Sequence, residues 1–143
     1  MALREQIIRT AKEWIQAHNE RDAAGQARVA ALTTTDFIAR TFPASLQVPN
    51  RNREEYAAFQ SWSTNLFDSY QATETDMVVD ETQCKVIYYI DSQGKTSAGE
   101  YKNQYIHKLI LTEDGKLVKQ FDIFMDSQAM EAWMGKVQTQ PGS

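Results

Sequence analysis

The chain has 143 residues and a formal net charge of −4, with 42% apolar and 24% charged residues. That length fits one domain with one core, and the balance is that of an ordinary globular protein. No basic block or stripe appears, so nucleic acid and anionic membrane are poor partners, and the lone Cys84 excludes an intrachain disulfide and fits a reducing compartment.

The first stretch, MALREQIIRTAKEW, lacks the uninterrupted apolar core of a signal peptide. No apolar run approaches the roughly 20 residues of a membrane span, so a cytoplasmic location is expected. Leu3, Ile7, Ile8, Ala11, Trp14, Ile15 and His18 recur at threes and fours, which predicts an amphipathic helix over 3–19. Asn19-Glu20-Arg21-Asp22 breaks it. A shorter alanine-rich helix follows over 23–32, with Asp22 as its N-cap. Residues 36–42 (DFIARTF) read as a short strand ended by Pro43, and 44–51 as a loop. A third helix starts at Arg53, capped by Asn52 with Glu55 completing a capping box. Its buried stripe is Tyr56, Phe59, Trp62, Leu66, Phe67 and Tyr70.

After Tyr70 the period changes from about 3.6 to about 2. Strands are predicted over 71–80, 83–90, 98–112 and 117–125. Asp91-Ser92-Gln93-Gly94 reads as the turn between the second and third of these. Asp114-Gly115 carries the signal of a tight hairpin between the third and fourth. Asp126 or Ser127 then caps a short final helix bearing Met130, Trp133, Met134 and Val137. Residues 1–137 make a single domain, and 138–143 (QTQPGS) a flexible tail.

Helices followed by a run of strands mean an α+β fold. A meander of long strands curls because sheets twist. The expected architecture is a cone-shaped, curved antiparallel sheet closed by three N-terminal helices. A cone of this kind often cannot fill its own centre, and the gap is where a small ligand sits.

The strand 101-YKNQYIHKLIL-111 sharpens this expectation. One face carries Tyr101, Asn103, Tyr105, His107, Leu109 and Leu111; the other carries Lys102, Gln104, Ile106, Lys108 and Ile110. The more apolar face has an Asn and a His in its middle, which suits a cavity wall better than a dry core. The opposite face is left to solvent or to a partner copy.

The order of elements resembles the nuclear-transport-factor-2-like α+β cone. The run 40-RTFPASLQVPNRNREEYAAF-59 is similar to a signature of fungal SnoaL-like proteins: a strand ending in a Leu/Phe-Pro-x-Ser-Leu turn, then a proline-rich loop leading to an Asn-x-Glu-x-Tyr helix start. The segments 103-NQYI-106 and 124-FMDS-127 look like that family's Asn-Glu-Tyr strand and closing Phe-Val-Asp-Ser. The resemblance implies a protein without metal or cofactor, usually a homodimer, in fungal secondary metabolism. Such proteins isomerise, cyclise or hydrolyse polyketide or meroterpenoid intermediates by acid–base chemistry. The superfamily also holds ketosteroid isomerases, dehydratases, epoxide hydrolases and members with no catalysis, so the fold gives the place of the site and not the reaction. Two positions depart from the pattern: Gln104 stands where Glu is frequent, and Ile123 where many members carry a pocket carboxylate.

The residues offer a matching set of roles. His107 can give or take a proton near neutral pH. Asn103 and Tyr105, on the same face, can hydrogen-bond a carbonyl or enolate oxygen. Arg40 is placed to anchor an acidic group. Asp122 is the reserve base if its face of the last strand lines the pocket. Tyr56, Phe59 and Trp62 supply apolar wall. His18, at the end of the first helix, suits the helix dipole, as do Glu54 and Glu55 at the start of the third. Two histidines and one cysteine make no zinc spacing, and there is neither a glycine-rich phosphate loop nor a Gly-x-Ser-x-Gly elbow.

The expected function is therefore a cofactor-independent isomerase or cyclase. The alternatives are a hydrolase opening a lactone or epoxide and a non-catalytic binding dimer. The parity of the last strand discriminates: an inward Asp122 near His107 favours catalysis, whereas an inward Phe121-Ile123-Met125 face with His107 buried against packed side chains favours a dry core and an interaction role.

Overall fold

The computed structural model describes residues 1–139. Four helices, a 3-10 turn and six strands follow one another as α1 (Leu3–Glu20), α2 (Ala23–Ala31), β1 (Thr33–Phe42), the turn Ala44–Leu46, β2 (Arg51–Asn52), α3 (Arg53–Leu66), β3 (Ser69–Asp80), β4 (Lys85–Thr96), β5 (Gly99–Leu111), β6 (Val118–Met125) and α4 (Ser127–Thr139). The helix starts obey their local chemistry. The Asp22 carboxylate accepts from the Gly25 N–H at 2.8 Å. Asn52 and Glu55 form a reciprocal capping box, each side chain taking the other's backbone N–H at 2.9 Å. α1 ends on Arg21 in the left-handed region, φ 56°. The Arg21 guanidinium holds that end in place by donating to the carbonyls of Thr64 and Phe67 at 3.0 and 2.6 Å.

The strands form one curved, open sheet in the order β2-β1-β6-β5-β4-β3. Every neighbouring pair is antiparallel except β1 and β6, which run parallel with Arg40 opposite Asp122. The α+β cone is therefore as expected, with one addition. The first strand is longer than its apolar run suggests and closes against the last one.

The turn expected over 91–94 is absent; β4 runs straight through it to Thr96. Its inward residues alternate from Val86 to Thr96, with Gly94 among them. A Cβ on Gly94 would lie 2.6 Å from the Ser69 carbonyl oxygen and 2.9 Å from the Phe67 ring. The glycine is there for close approach, not for a turn. The Asp-Gly hairpin is present, with Gly115 at φ 72°, and Thr10 of α1 donates to the Gly115 carbonyl at 2.6 Å.

The concave face of the sheet packs on the helices. Ile7, Ala11 and Trp14 of α1 and Tyr56 of α3 meet Phe37, Val86, Tyr88, Leu109 and Phe121. A smaller cluster of Phe67, Tyr101 and Trp133 fastens α4 across the open end, with Trp133 stacked on Phe67 at 5.4 Å. α4 extends to Thr139, past the expected domain end at 137, and the rest of the expected tail, 140–143, lies outside the described residues. Among the described residues no helix is long and apolar enough to cross a membrane.

Candidate active site

The helices do not fill the cone. A cavity of about 490 Å³ remains between α1, α3, α4 and the concave face of the sheet, within the range of small-molecule sites. The inward face of β5 answers the question posed by its sequence. Tyr101, Asn103, Leu109 and Leu111 are buried, Tyr105 and His107 are half-buried, and Lys102, Gln104 and Ile106 are exposed. Tyr101, Tyr105 and His107 line the cavity.

His107 is part of its wall. Its ring meets the edges of Tyr88 and Phe121 at 5.3 and 4.8 Å and lies 5.3 Å from Tyr105. No hydrogen bond occupies either ring nitrogen among the described residues. Burial, with a smaller push from His18, lowers its pKa to about 3. His107 is therefore a neutral imidazole at physiological pH, able to accept a proton.

His18 is the second imidazole of the wall. Its Nδ1 lies 2.7 Å from the Trp14 carbonyl and its Nε2 2.7 Å from the Tyr56 hydroxyl. A carbonyl only accepts, so Nδ1 carries the proton. Burial lowers the His18 pKa to about 4, so the ring is neutral and Nε2 accepts from the Tyr56 O–H. The dipole role expected of His18 fails for the same reason: it needs a cation. Sequence reasoning undervalued this residue, although the signal was present, since His18 lies four residues beyond Trp14 on the buried stripe.

The other phenols form a chain. Tyr101 and Tyr105 share a short hydroxyl–hydroxyl hydrogen bond. Asn103 Nδ2 donates to the Tyr101 hydroxyl at 2.9 Å, while its Oδ1 takes the Gln104 N–H at 2.7 Å. Burial raises the Tyr101 pKa to about 12 and lifts those of Tyr56, Tyr70 and Tyr105 further above the usual phenol value. These groups stay protonated and serve as hydrogen-bond donors.

Three expected site residues are not on the wall. Asn103 is buried behind Tyr101 with its amide occupied, so it holds the phenol and does not reach the cavity. Arg40 and Asp122 face the other side of the sheet, where they pair with each other: Nε to Oδ1 at 2.8 Å and Nη2 to Oδ2 at 2.7 Å. Asp122 also accepts from Gln120 at 3.0 Å. Burial acts to raise the Asp122 pKa, but the hydrogen bonds from Arg40 and Gln120 outweigh it and hold the carboxyl below its usual range. Asp122 is thus no base for the cavity and Arg40 no anchor. The cause is strand parity. Phe121, Ile123 and Met125 point inward and line the cavity, which turns Asp122 and Phe124 outward. Glu54 and Glu55 are exposed on α3 and away from the wall, and the only wall carboxylate among the described residues is the exposed Glu131 on α4.

Tyr56, Phe59 and Trp62 do line the cavity. Tyr56 is buried, whereas Trp62 is 49% exposed and sits at the mouth. The parity test therefore goes to the apolar side, yet the cone is not packed shut and His107 faces open space.

No family model matches the chain. It is 29% identical over 139 residues to the austinoid biosynthesis cluster protein H of Aspergillus calidoustus, covering 94% of this chain and 92% of that protein. The fold superposes on the crystal structure of the BvnE pinacolase from Penicillium brevicompactum with a TM-score of 0.90 at 24% identity, covering 96% and 97% of the two chains. A SnoaL-like polyketide-cyclase candidate from Jannaschia sp. CCS1 gives 0.78 at 12% identity over 99% and 97%. The chain thus has the SnoaL-like, nuclear-transport-factor-2-like fold. Its relatives are fungal secondary-metabolite cluster proteins, as the Arg40–Phe59 signature suggested.

Proposed function

We propose that the protein is a biosynthetic enzyme that isomerises or cyclises an apolar, oxygenated polyketide or meroterpenoid intermediate by acid–base chemistry, without a cofactor. The observation that carries this reading is His107: a neutral imidazole with no hydrogen bond among the described residues, on the wall of a cavity of about 490 Å³, beside phenols that stay protonated. A substrate C–H or O–H placed against His107 gives its proton to the ring. The oxyanion that develops takes a hydrogen bond from whichever of the Tyr101 and Tyr105 phenols is the acceptor in their shared bond and so keeps its own proton free. As it develops, that anion also stabilises the imidazolium forming beside it and so offsets the desolvation that holds the His107 pKa down. A proton returned at another atom completes an isomerisation with no change of mass. The cluster protein of Aspergillus calidoustus and the pinacolase support a secondary-metabolite role.

A second reading is favoured by the apolar Phe121-Ile123-Met125 face, which leaves the wall without a buried carboxylate: a protein that binds such a metabolite without turnover. The working unit in either case is a homodimer. Its proposed interface is the outer row Tyr89–Ile106–Phe124, directly paired across β4, β5 and β6 and 51%, 43% and 50% exposed.

The test is chemical complementation. A strain lacking the gene accumulates the substrate, and purified protein added to its extract converts that compound to one of equal mass. His107→Ala lowers the rate by about 10²–10⁴-fold, the usual weight of a proton-transferring group. An unchanged rate in that variant sinks the catalytic role. Binding without conversion by the wild type selects the second reading, and a product heavier by one water selects hydrolysis.

A further inference from the structure

The cavity wall holds two arginines in different situations. Arg21 gives its guanidinium to the Thr64 and Phe67 carbonyls. Arg51, on β2, has neither an ion pair nor a hydrogen bond among the described residues. It pairs by backbone with Ala39, and β2 hands it directly to the cap of α3. Its guanidinium carbon lies 4.2 Å from the centre of the Phe59 ring, stacked over the aromatic wall. It is half-buried, and burial lowers its pKa, partly offset by Tyr56 and then Glu55. Glu55 is the carboxylate whose charge acts on it, and that carboxylate receives the Asn52 N–H at 2.9 Å.

A cation withdrawn from water and left unpaired is costly, and cation–π contact on Phe59 recovers about 0.5–2 kcal/mol. The stack also fixes the plane of the fork, so that its N–H groups are pre-oriented. Thr41, Ser45 and Gln60 also line the cavity, with side chains that make no hydrogen bond among the described residues. On the α4 side the wall presents Met130, Trp133 and Met134 together with the exposed Glu131. An anionic group is therefore favoured beside Arg51 and disfavoured beside α4.

We infer that Arg51 is a specificity-determining residue that binds an anionic oxygen of the ligand, carboxylate or enolate, with Thr41, Ser45 and Gln60 completing its hydrogen bonds and the apolar body lying toward α4. This rests on the reading of the cavity as a small-molecule site and adds the ligand's charge and its direction.

Two matched probe pairs test it by calorimetry: 2-naphthoate with its methyl ester, and ionised 2-hydroxy-1,4-naphthoquinone with its methyl ether. The anionic member of at least one pair should bind about tenfold or more tightly than its neutral twin, the range of a charge-assisted hydrogen bond. Arg51→Met should remove that preference while the neutral twin still binds, which also shows that the variant is folded. Arg51→Lys should keep part of it. A preference for carboxylate alone or enolate alone identifies the source of the oxygen. Equal affinity within both pairs, or a preference that survives Arg51→Met, overturns the role of Arg51 and leaves the cavity reading standing. If no probe of either pair binds wild type, the cavity reading and the role of Arg51 fall together.

Discussion

The Tyr56 hydroxyl donates to His18 Nε2 at 2.7 Å and joins two elements 38 residues apart. The bond ties the end of α1 to the start of α3 under the roof of the cavity. It also sets the tautomer of His18, whose other nitrogen is committed to the Trp14 carbonyl.

Tyr56→Phe removes the donor and leaves His18 Nε2 with no partner. The expected loss is about 1–2 kcal/mol of stability, more than a neutral hydrogen bond alone, because the acceptor stays buried. Denaturant midpoints measure it. In the wild type, nitrogen chemical shifts should show His18 protonated on Nδ1 alone at pH 7. Protonation on both nitrogens there would contradict the assignment.

Acid should weaken the fold through both imidazoles. In the unfolded chain they titrate near 6.5; folded, His18 is lowered to about 4 and His107 to about 3. Between those limits the unfolded state binds protons that the folded state does not. Stability is then full above about pH 6.5 and falls as pH drops toward 4, by up to about 1.4 kcal/mol per pH unit for each histidine. Asp122, lowered by its partners, adds a loss in the same direction at still lower pH. Urea unfolding at pH 7, 6 and 5 reads the slope, and His107→Gln should reduce it. A flat profile would mean that the two rings are not desolvated as described.

The Arg40–Asp122 pair holds strands and not substrate. Asp122→Asn should cost about 1 kcal/mol, as befits a bidentate pair that is partly exposed. It should leave binding of the neutral probes within about twofold. A large loss of affinity with an unchanged midpoint would return Asp122 to the site.

Gly94→Ala should be among the more damaging single methyl groups in the protein. The added Cβ has no room against the Ser69 carbonyl, and overpacking of this kind costs about 1–3 kcal/mol. A thermal midpoint equal to wild type would show that β3 can move away freely.

Phe124→Glu tests the proposed dimer. Sedimentation should show wild type at twice the chain mass and the variant at the chain mass, with the cavity probes still bound. A wild-type monomer removes the interface.

Much of this architecture was legible because it is local. The stripe Ile7-Ala11-Trp14, the Asn52–Glu55 box and the Asp114-Gly115 turn all declare themselves within a few residues. The face of β5 was legible too, since period 2 assigns Tyr101, Tyr105 and His107 together. What failed was non-local. Gly94 looked like a turn because its reason, the approach of Ser69, lies a strand away. Parity on β6 was undecidable from a run as mixed as Phe121-Asp122-Ile123-Phe124, where apolar residues occupy both faces. Arg40 and Asp122 each looked available because nothing in the chain announces that β1 lies beside β6. Arg51 was read as loop, yet β2 turns it into the cavity.

The parallel pairing of β1 with β6 also bears on how the molecule is made. Hydrogen bonds there join Arg40 to Asp122 across 82 residues, and long-range closure of this kind slows folding. As the chain leaves the ribosome, β1 emerges early with an unpaired edge that no segment before residue 118 can cover. The pocket cannot exist until β6 has been made, and the nascent protein must keep that edge from other chains in the meantime.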